Sequence, residues 1–296
     1  MLTLAHNFNM KSIFPLLFLF IFSIIHTTKA QYPLKIDSLY KEANWEQNHS
    51  NPKKAISIYS KILKKYPNHF LAINNRSLCY NTLGKYDKAI AGYDHLMQLD
   101  STQGLIYLNK AMTLANLQQY ENAYKSYLKA EKLKGTRLDL LYYNMAILFS
   151  KWEHQYDSTI HYNKLSILHN PNFIEAYNNL IFAYINNEQW DEAVAYGKHV
   201  IDKQKPIAPH YNNLGYAYMK LGQFENALHY LNLSQEMFPK NTWCDRNLGL
   251  TYKEMGDADK ACQHLKASLK KGFIKEWGQA EIQELIDYCN LHNKKE

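Results

Sequence analysis

The chain has 296 residues, 46% hydrophobic and 21% charged, enough apolar material for a packed core and too much for a disordered polymer. The formal net charge of +7 includes Lys11 and Lys29 of a distinct N-terminal stretch, and residues 31–296 carry 32 basic against 27 acidic residues, a mild +5. Basic residues are scattered, and pairs such as Lys53-Lys54, Lys64-Lys65 and Lys270-Lys271 read as solvated helix faces, which argues against nucleic acid as a partner.

The first element is a leader. Lys11 precedes an apolar run from Ile13 to Ile25, and Thr28 and Ala30 then stand at the small-residue positions before a cleavage point ahead of Gln31. Residues 1–30 therefore read as a signal peptide, with Met10 offering a second start. The competing reading is a retained anchor, but a run of about 13 residues falls short of the ~20 that a bilayer needs. No cysteine near the cleavage point offers a lipid acceptor. The expectation is an exported protein, periplasmic or extracellular, with no membrane insertion after cleavage.

Beyond the leader one spacing recurs. Tyr86, Tyr120, Tyr156, Trp190 and Phe224 each stand three residues before a small residue, in the same context as the stretch HYNNLGYAYMKLGQFENAL at 210–228. The spacing defines seven units, 36–69, 70–103, 104–137, 140–173, 174–207, 208–241 and 242–275, with a 34-residue period broken only by a two-residue insertion at Leu138 and Asp139. Each unit reads as two amphipathic helices, apolar residues recurring three and four apart around a central break, with proline near the end at Pro67, Pro171 and Pro239. After the seventh unit, 276–296 read as a single capping helix over 276–291 and a tail.

The pattern resembles the tetratricopeptide repeat: in the sixth unit its positions are filled by Tyr211, Leu214 with Gly215, Tyr218, Ala227, Leu231 and Pro239. The resemblance implies an all-α fold, an α-solenoid of helix-turn-helix repeats in a right-handed superhelix closed by a C-terminal capping helix. Within each unit, position twenty is small throughout: Ala55, Ala89, Ala123, Thr159, Ala193, Ala227 and Ala261. Gly215 at position eight should let the paired helices approach, and Gly222 should end the first of them. Position eight is Ile147 and Ile181 in the fourth and fifth units, so those pairs should be spread or rotated and the middle of the array irregular.

Most of the 24 tyrosines occupy core positions of the repeat, and the remainder are too dispersed to define an aromatic face. Asparagine is more informative. Position six holds Asn75, Asn109, Asn179, Asn213 and Asn247, and position five holds Asn74, Asn144, Asn178 and Asn212. In tetratricopeptide arrays the first helices line the concave surface, so these nine residues imply a ladder similar to that of protein O-GlcNAc transferases, which holds extended peptides. An amide offers both donors and acceptors and can grip peptide backbone without reading side chains. The alternative is that each asparagine bonds only to the neighbouring repeat. A carboxylate clamp is excluded, because position five never carries the lysine it needs and holds Arg246 in the last unit.

Cys262 on the seventh unit's second helix and Cys289 on the cap should lie level across a turn near residue 275, so a bridge and two buried free thiols both stand open. Cys79 and Cys244 have no close partners in sequence, and the four cysteines do not resemble a zinc site. No HExxH, GxxxxGK[ST], GxSxG or CxxC occurs, and the thirteen histidines read as exposed and ordinary, so neither catalysis, cofactor nor metal is expected. The reading is a non-enzymatic interaction module that binds an extended segment of a partner protein or peptide in its groove, as adaptor or assembly factor. The alternative is a glycan-binding receptor component of the cell envelope, although the starch-binding lipoproteins it would resemble carry inserted loops and a lipidated cysteine lacking here.

Overall fold

The computed structural model describes residues 33–203 and 206–292, so the leader and its cleavage point lie outside the described residues. It is all-α. Seven helix pairs succeed one another: α1 (Leu34–Asn48) with α2 (Pro52–Lys65), α3 (Phe70–Thr82) with α4 (Tyr86–Leu99), α5 (Gly104–Asn116) with α6 (Tyr120–Glu131), and α7 (Leu138–Lys151) with α8 (Tyr156–His169). The last three are α9 (Ile174–Asn186) with α10 (Trp190–Lys203), α11 (Ala208–Lys220) with α12 (Phe224–Met237), and α13 (Thr242–Glu254) with α14 (Ala258–Lys270). The chain falls into two compact units that divide between Leu148 and Phe149, inside α7. None of the described helices is long and apolar enough to cross a membrane.

Two backbone devices make each pair. The first is the turn between its helices, where the fifteenth residue of all seven repeats is left-handed: Ser50, Gly84, Gln118, His154, Glu188, Gly222 and Gly256 all have φ between 51° and 82°. The turn bonds back onto the first helix, as where the Gly222 and Gln223 N–H groups donate to Met219 and Tyr218 carbonyls. Glycine takes this conformation freely and the other side chains do so under strain.

The second device is close approach. Every residue at position twenty is at most 1% exposed, since the first helix of the pair lies directly on it. A Cβ on Gly215 would sit 2.7 Å from Leu231 Cγ and 3.0 Å from the Ala227 carbonyl oxygen, so the glycine is what lets α11 and α12 meet. Ile181 occupies the same position in α9 and is wholly buried. The two-residue insertion starts α7 at Leu138, two residues before the repeat pattern begins at Leu140.

The two units fill their cores differently. In the N-terminal unit position twenty-four is Tyr59, Tyr93 and Tyr127, each at most 1% exposed. In the C-terminal unit the ring has moved back one residue, to Tyr162, Tyr196 and Tyr230, with His264 at that place in the seventh repeat. One residue is about 100° around a helix, which takes the ring out of the core and onto the first helix of its own pair. There Tyr184 stacks on Tyr196 at 5.5 Å, Tyr218 on Tyr230 at 5.6 Å and Tyr252 on His264 at 5.5 Å.

The cap departs from the expected single helix over 276–291. Gly278 at φ 92° breaks it, leaving a short α15 (Phe273–Trp277), a 3₁₀ turn at Ala280–Ile282 and α16 (Gln283–His292). A Cys262–Cys289 disulfide, Cα atoms 5.6 Å apart, ties α16 to α14, and Phe273, Ile282 and Leu285 bury beneath it. Cys79 and Cys244 are free and buried, and burial pushes both thiols up to about 12. The histidines are not all exposed: His69 accepts from the Ala72 N–H at the start of α3, and His210 accepts from the Ile207 N–H at the start of α11. Burial pushes the His210 imidazole down to about 4.

Each device has a measurable consequence. Glu188→Gly relieves the left-handed strain between α9 and α10 and should raise stability by about 0.5–1 kcal/mol in urea unfolding followed by circular dichroism. Reducing the disulfide reopens a loop of 27 residues. That should lower the stability of the C-terminal unit by roughly 3–4 kcal/mol, seen as an earlier urea midpoint with dithiothreitol than without.

Candidate functional site

The asparagines on the first helices meet one another, and the repeat spacing decides how. A position-six amide donates to the position-five amide of the preceding repeat: Asn109 Nδ2 to Asn74 Oδ1 at 3.0 Å, Asn213 to Asn178 at 3.3 Å and Asn247 to Asn212 at 3.1 Å. In the N-terminal unit the chain runs on, Asn74 Nδ2 donating to Asn75 Oδ1 at 3.0 Å and Asn75 Nδ2 reaching Asn44 Oδ1 at 2.9 Å and the Tyr40 hydroxyl at 3.0 Å. Tyr59, whose hydroxyl lies 2.5 Å from Asn44 Oδ1, closes the network from α2. Burial is the largest influence on the Tyr40 and Tyr59 hydroxyls and raises both pKa values, which keeps them neutral donors.

Asn74, Asn75, Asn109, Asn212 and Asn247 are buried, and Asn144, Asn178, Asn179 and Asn213 are half-buried. Two of the nine bond elsewhere: Asn144 Nδ2 donates to the Leu140 carbonyl of its own helix, and Asn179 Nδ2 to Asn163 Oδ1 on α8. The ladder is therefore a set of staples between neighbouring repeats, satisfied in a low dielectric where each bond is worth more than in water.

Three of its members, Asn212, Asn213 and Asn247, also line an open-sided cleft on the first-helix face of the C-terminal unit. Phe182 and Ile185 of α9 wall one side, Pro209 and Tyr216 come from α11, Trp243 and Arg246 from α13, and Trp277 from the cap. Asn241 at the rim holds the start of α13 by accepting from the Trp243 and Cys244 N–H groups. Trp277 donates its indole N–H to Thr242 Oγ1 at 3.1 Å and meets Trp243 edge-on at 5.6 Å, so the cap supplies one wall and fixes another. Aromatic and aliphatic walls with a few converging amides and one cation form a recognition surface for an extended or flat ligand.

The asparagines were legible in the sequence as a periodic series. Tyr216, Trp243 and Trp277 were not, because they occupy no repeated position, and one of them comes from beyond the last repeat. The available signal was the clustering of two of the five tryptophans in and just after the seventh unit.

This architecture, antiparallel helix pairs in series with a cleft on the first helices, defines a helical-repeat protein of the kind that serves as a protein–protein interaction or assembly module. Tetratricopeptide repeats are detected in the chain: sequence models of that repeat match residues 37–69, 58–91, 105–136, 208–241 and 247–270. A PPR repeat model matches 175–203, the pair in which Ile181 replaces the small residue. No curated protein matches the chain significantly in sequence.

Among solved structures the chain is similar to PilW, a widely conserved type IV pilus biogenesis factor, at 20% identity and a TM-score of 0.62, covering 70% of this chain and 96% of that one. It is also similar to the C-terminal part of a tetratricopeptide-repeat protein from Cytophaga hutchinsonii, at 19% identity and a TM-score of 0.61, covering 84% and 98%. A third similar structure is YrrB, a tetratricopeptide-repeat protein with an unusual peptide-binding site, at 21% identity and a TM-score of 0.51, covering 63% and 95%. At these identities the likeness is one of fold.

Asn247→Ala removes the link from α13 to α11 and leaves Asn212 Oδ1 without its donor in a buried place, so it should cost about 2 kcal/mol in urea unfolding. Asn144→Ala, which loses a bond only to its own helix, should cost less than about 0.5 kcal/mol.

Proposed function

We propose that the protein is an exported, non-enzymatic interaction module that holds an extended segment of a partner protein on its first helices, as adaptor or assembly factor, in the periplasm or outside the cell. The observation that carries this reading is the cleft of the C-terminal unit, where the asparagine series and an aromatic wall share one surface. Asn213 gives one N–H to Asn178 and keeps its second N–H and its carbonyl oxygen for a ligand. Those are the groups that pair with a peptide C=O and N–H. Of the nine, three line the cleft, Asn212 and Asn247 buried within its wall and Asn213 half-buried at its surface. Export rests on the leader, and the disulfide suits an oxidising compartment.

Selection of a displayed random-peptide library on the immobilised protein tests the reading. Peptides should be enriched, and Asn213→Ala should weaken the selected peptide about fivefold by titration while leaving the circular dichroism spectrum unchanged. Enrichment of none, with binding on a glycan array, would favour instead the glycan-receptor reading, since aromatic walls and amides also suit a sugar.

A further inference from the structure

The cleft has one charged side chain in its lining, Arg246, and the fold holds it in an unusual way. Its Nε donates to the main-chain carbonyl of Glu281 on the cap, and its Nη1 donates to Asn247 Oδ1 at 2.8 Å. Asn247 in turn donates to Asn212, so the amide ladder of the C-terminal unit ends on the guanidinium. The same group lies 5.1 Å from the ring centroid of Trp243 and 5.8 Å from that of Tyr216, so aromatic rings flank it. Its position is fixed by two neutral acceptors and two rings.

Among the described residues no carboxylate forms an ion pair with Arg246. Glu281 offers it a backbone oxygen, and the carboxylates of Glu281 and Glu284 lie within electrostatic reach of it without bonding to it, Glu284 pairing instead with Lys253. The neighbouring Asp245 is turned away into a pair with Lys271 and a bond from Gln235. A guanidinium has five N–H donors. Two are used, and three remain on a half-buried group in a cleft whose lining holds no negative charge.

We infer that the cleft selects an acidic segment of the partner: a peptide whose Asp or Glu side chain takes the free edge of the Arg246 guanidinium while an adjacent apolar residue packs against Trp243 and Trp277. The proposal rests on the peptide-binding reading above and names the chemistry of the peptide. The planar fork of arginine donates two parallel hydrogen bonds to a carboxylate, and preorganisation by Glu281 and Asn247 spares the entropy of ordering it. A neutral segment laid over Arg246 would leave its remaining N–H donors unmet, whereas a carboxylate meets two of them. This differs from grip by amides alone, which ignores side chains.

The test uses the protein with its disulfide intact and short peptides capped at both ends, with a single Glu beside Leu or Phe, against matched Gln isosteres, followed by tryptophan fluorescence. The Glu peptide should bind at least tenfold tighter than its isostere. Arg246→Gln should bring the two within about twofold, and Arg246→Lys, which keeps charge without the fork, should retain only part of the preference. Should Arg246→Gln loosen the cap, the wild-type protein still decides, because its Glu-to-Gln ratio must shrink in about 0.5 M salt. Equal binding of the two peptides overturns the acidic preference and leaves the peptide groove standing, whereas binding of neither, together with an unenriched library, overturns both. A preference that survives Arg246→Gln, or that needs a free peptide C-terminus, assigns the carboxylate to another site and overturns the inference.

Discussion

Everything in this structure depends on how closely the two helices of a repeat approach at position twenty. With alanine or threonine buried there in all seven repeats, the backbones sit near enough for each pair to act as one rigid block. A single pair cannot bury its apolar faces alone, so the blocks stack on sequence neighbours, and the stack fixes the axial offset between successive first helices. That offset brings residues 35 apart within hydrogen-bonding distance, which is why Asn109 finds Asn74 and Asn247 finds Asn212. The amide bonds then hold the register that the packing created.

Within that shared geometry the two units answer the same packing problem with different side chains. Tyrosines enter the core at position twenty-four in the first three repeats; the Tyr59 hydroxyl joins the network around Asn75, whereas the buried Tyr93 hydroxyl has no hydrogen-bond partner among the described residues. In the later repeats the ring stands one residue earlier and stacks on the first helix, and position twenty-four is left to Gly197, Leu231 and Leu265. A polar interior with a continuous amide chain characterises the N-terminal unit. In the C-terminal unit the displaced rings stack on the first helices, and its buried polar groups, among them Asn163, His210, Asp245 and Asn247, stand at other positions.

The cap completes the cleft as well as the core. α15 and α16 bury Phe273, Ile282 and Leu285 against the seventh repeat and are covalently tied to it through Cys262 and Cys289. Gly278 is needed for this, since the break it makes turns Trp277 towards Thr242 and places the Glu281 carbonyl against Arg246. One short segment therefore closes the open end of the stack, supplies a wall of the cleft and orients its one cation.

The sequence by itself determined the repeats, their length, the helix pairs and the crossing residues, because each is fixed by contacts between residues at constant separation and so leaves a period. Ala227 opposite Gly215, and Gly222 at the end of α11, could be read for that reason. It also displayed the asparagine series, while leaving open whether the amides face a ligand or one another. Tertiary structure shows seven of them bonded to one another across or along the repeats, with Asn212, Asn213 and Asn247 also lining the cleft. It alone decided the cleft, because Tyr216, Arg246, Trp243 and Trp277 come from two repeats and a broken cap with no common period, and only the packing of α11, α13 and α15 brings them to one place.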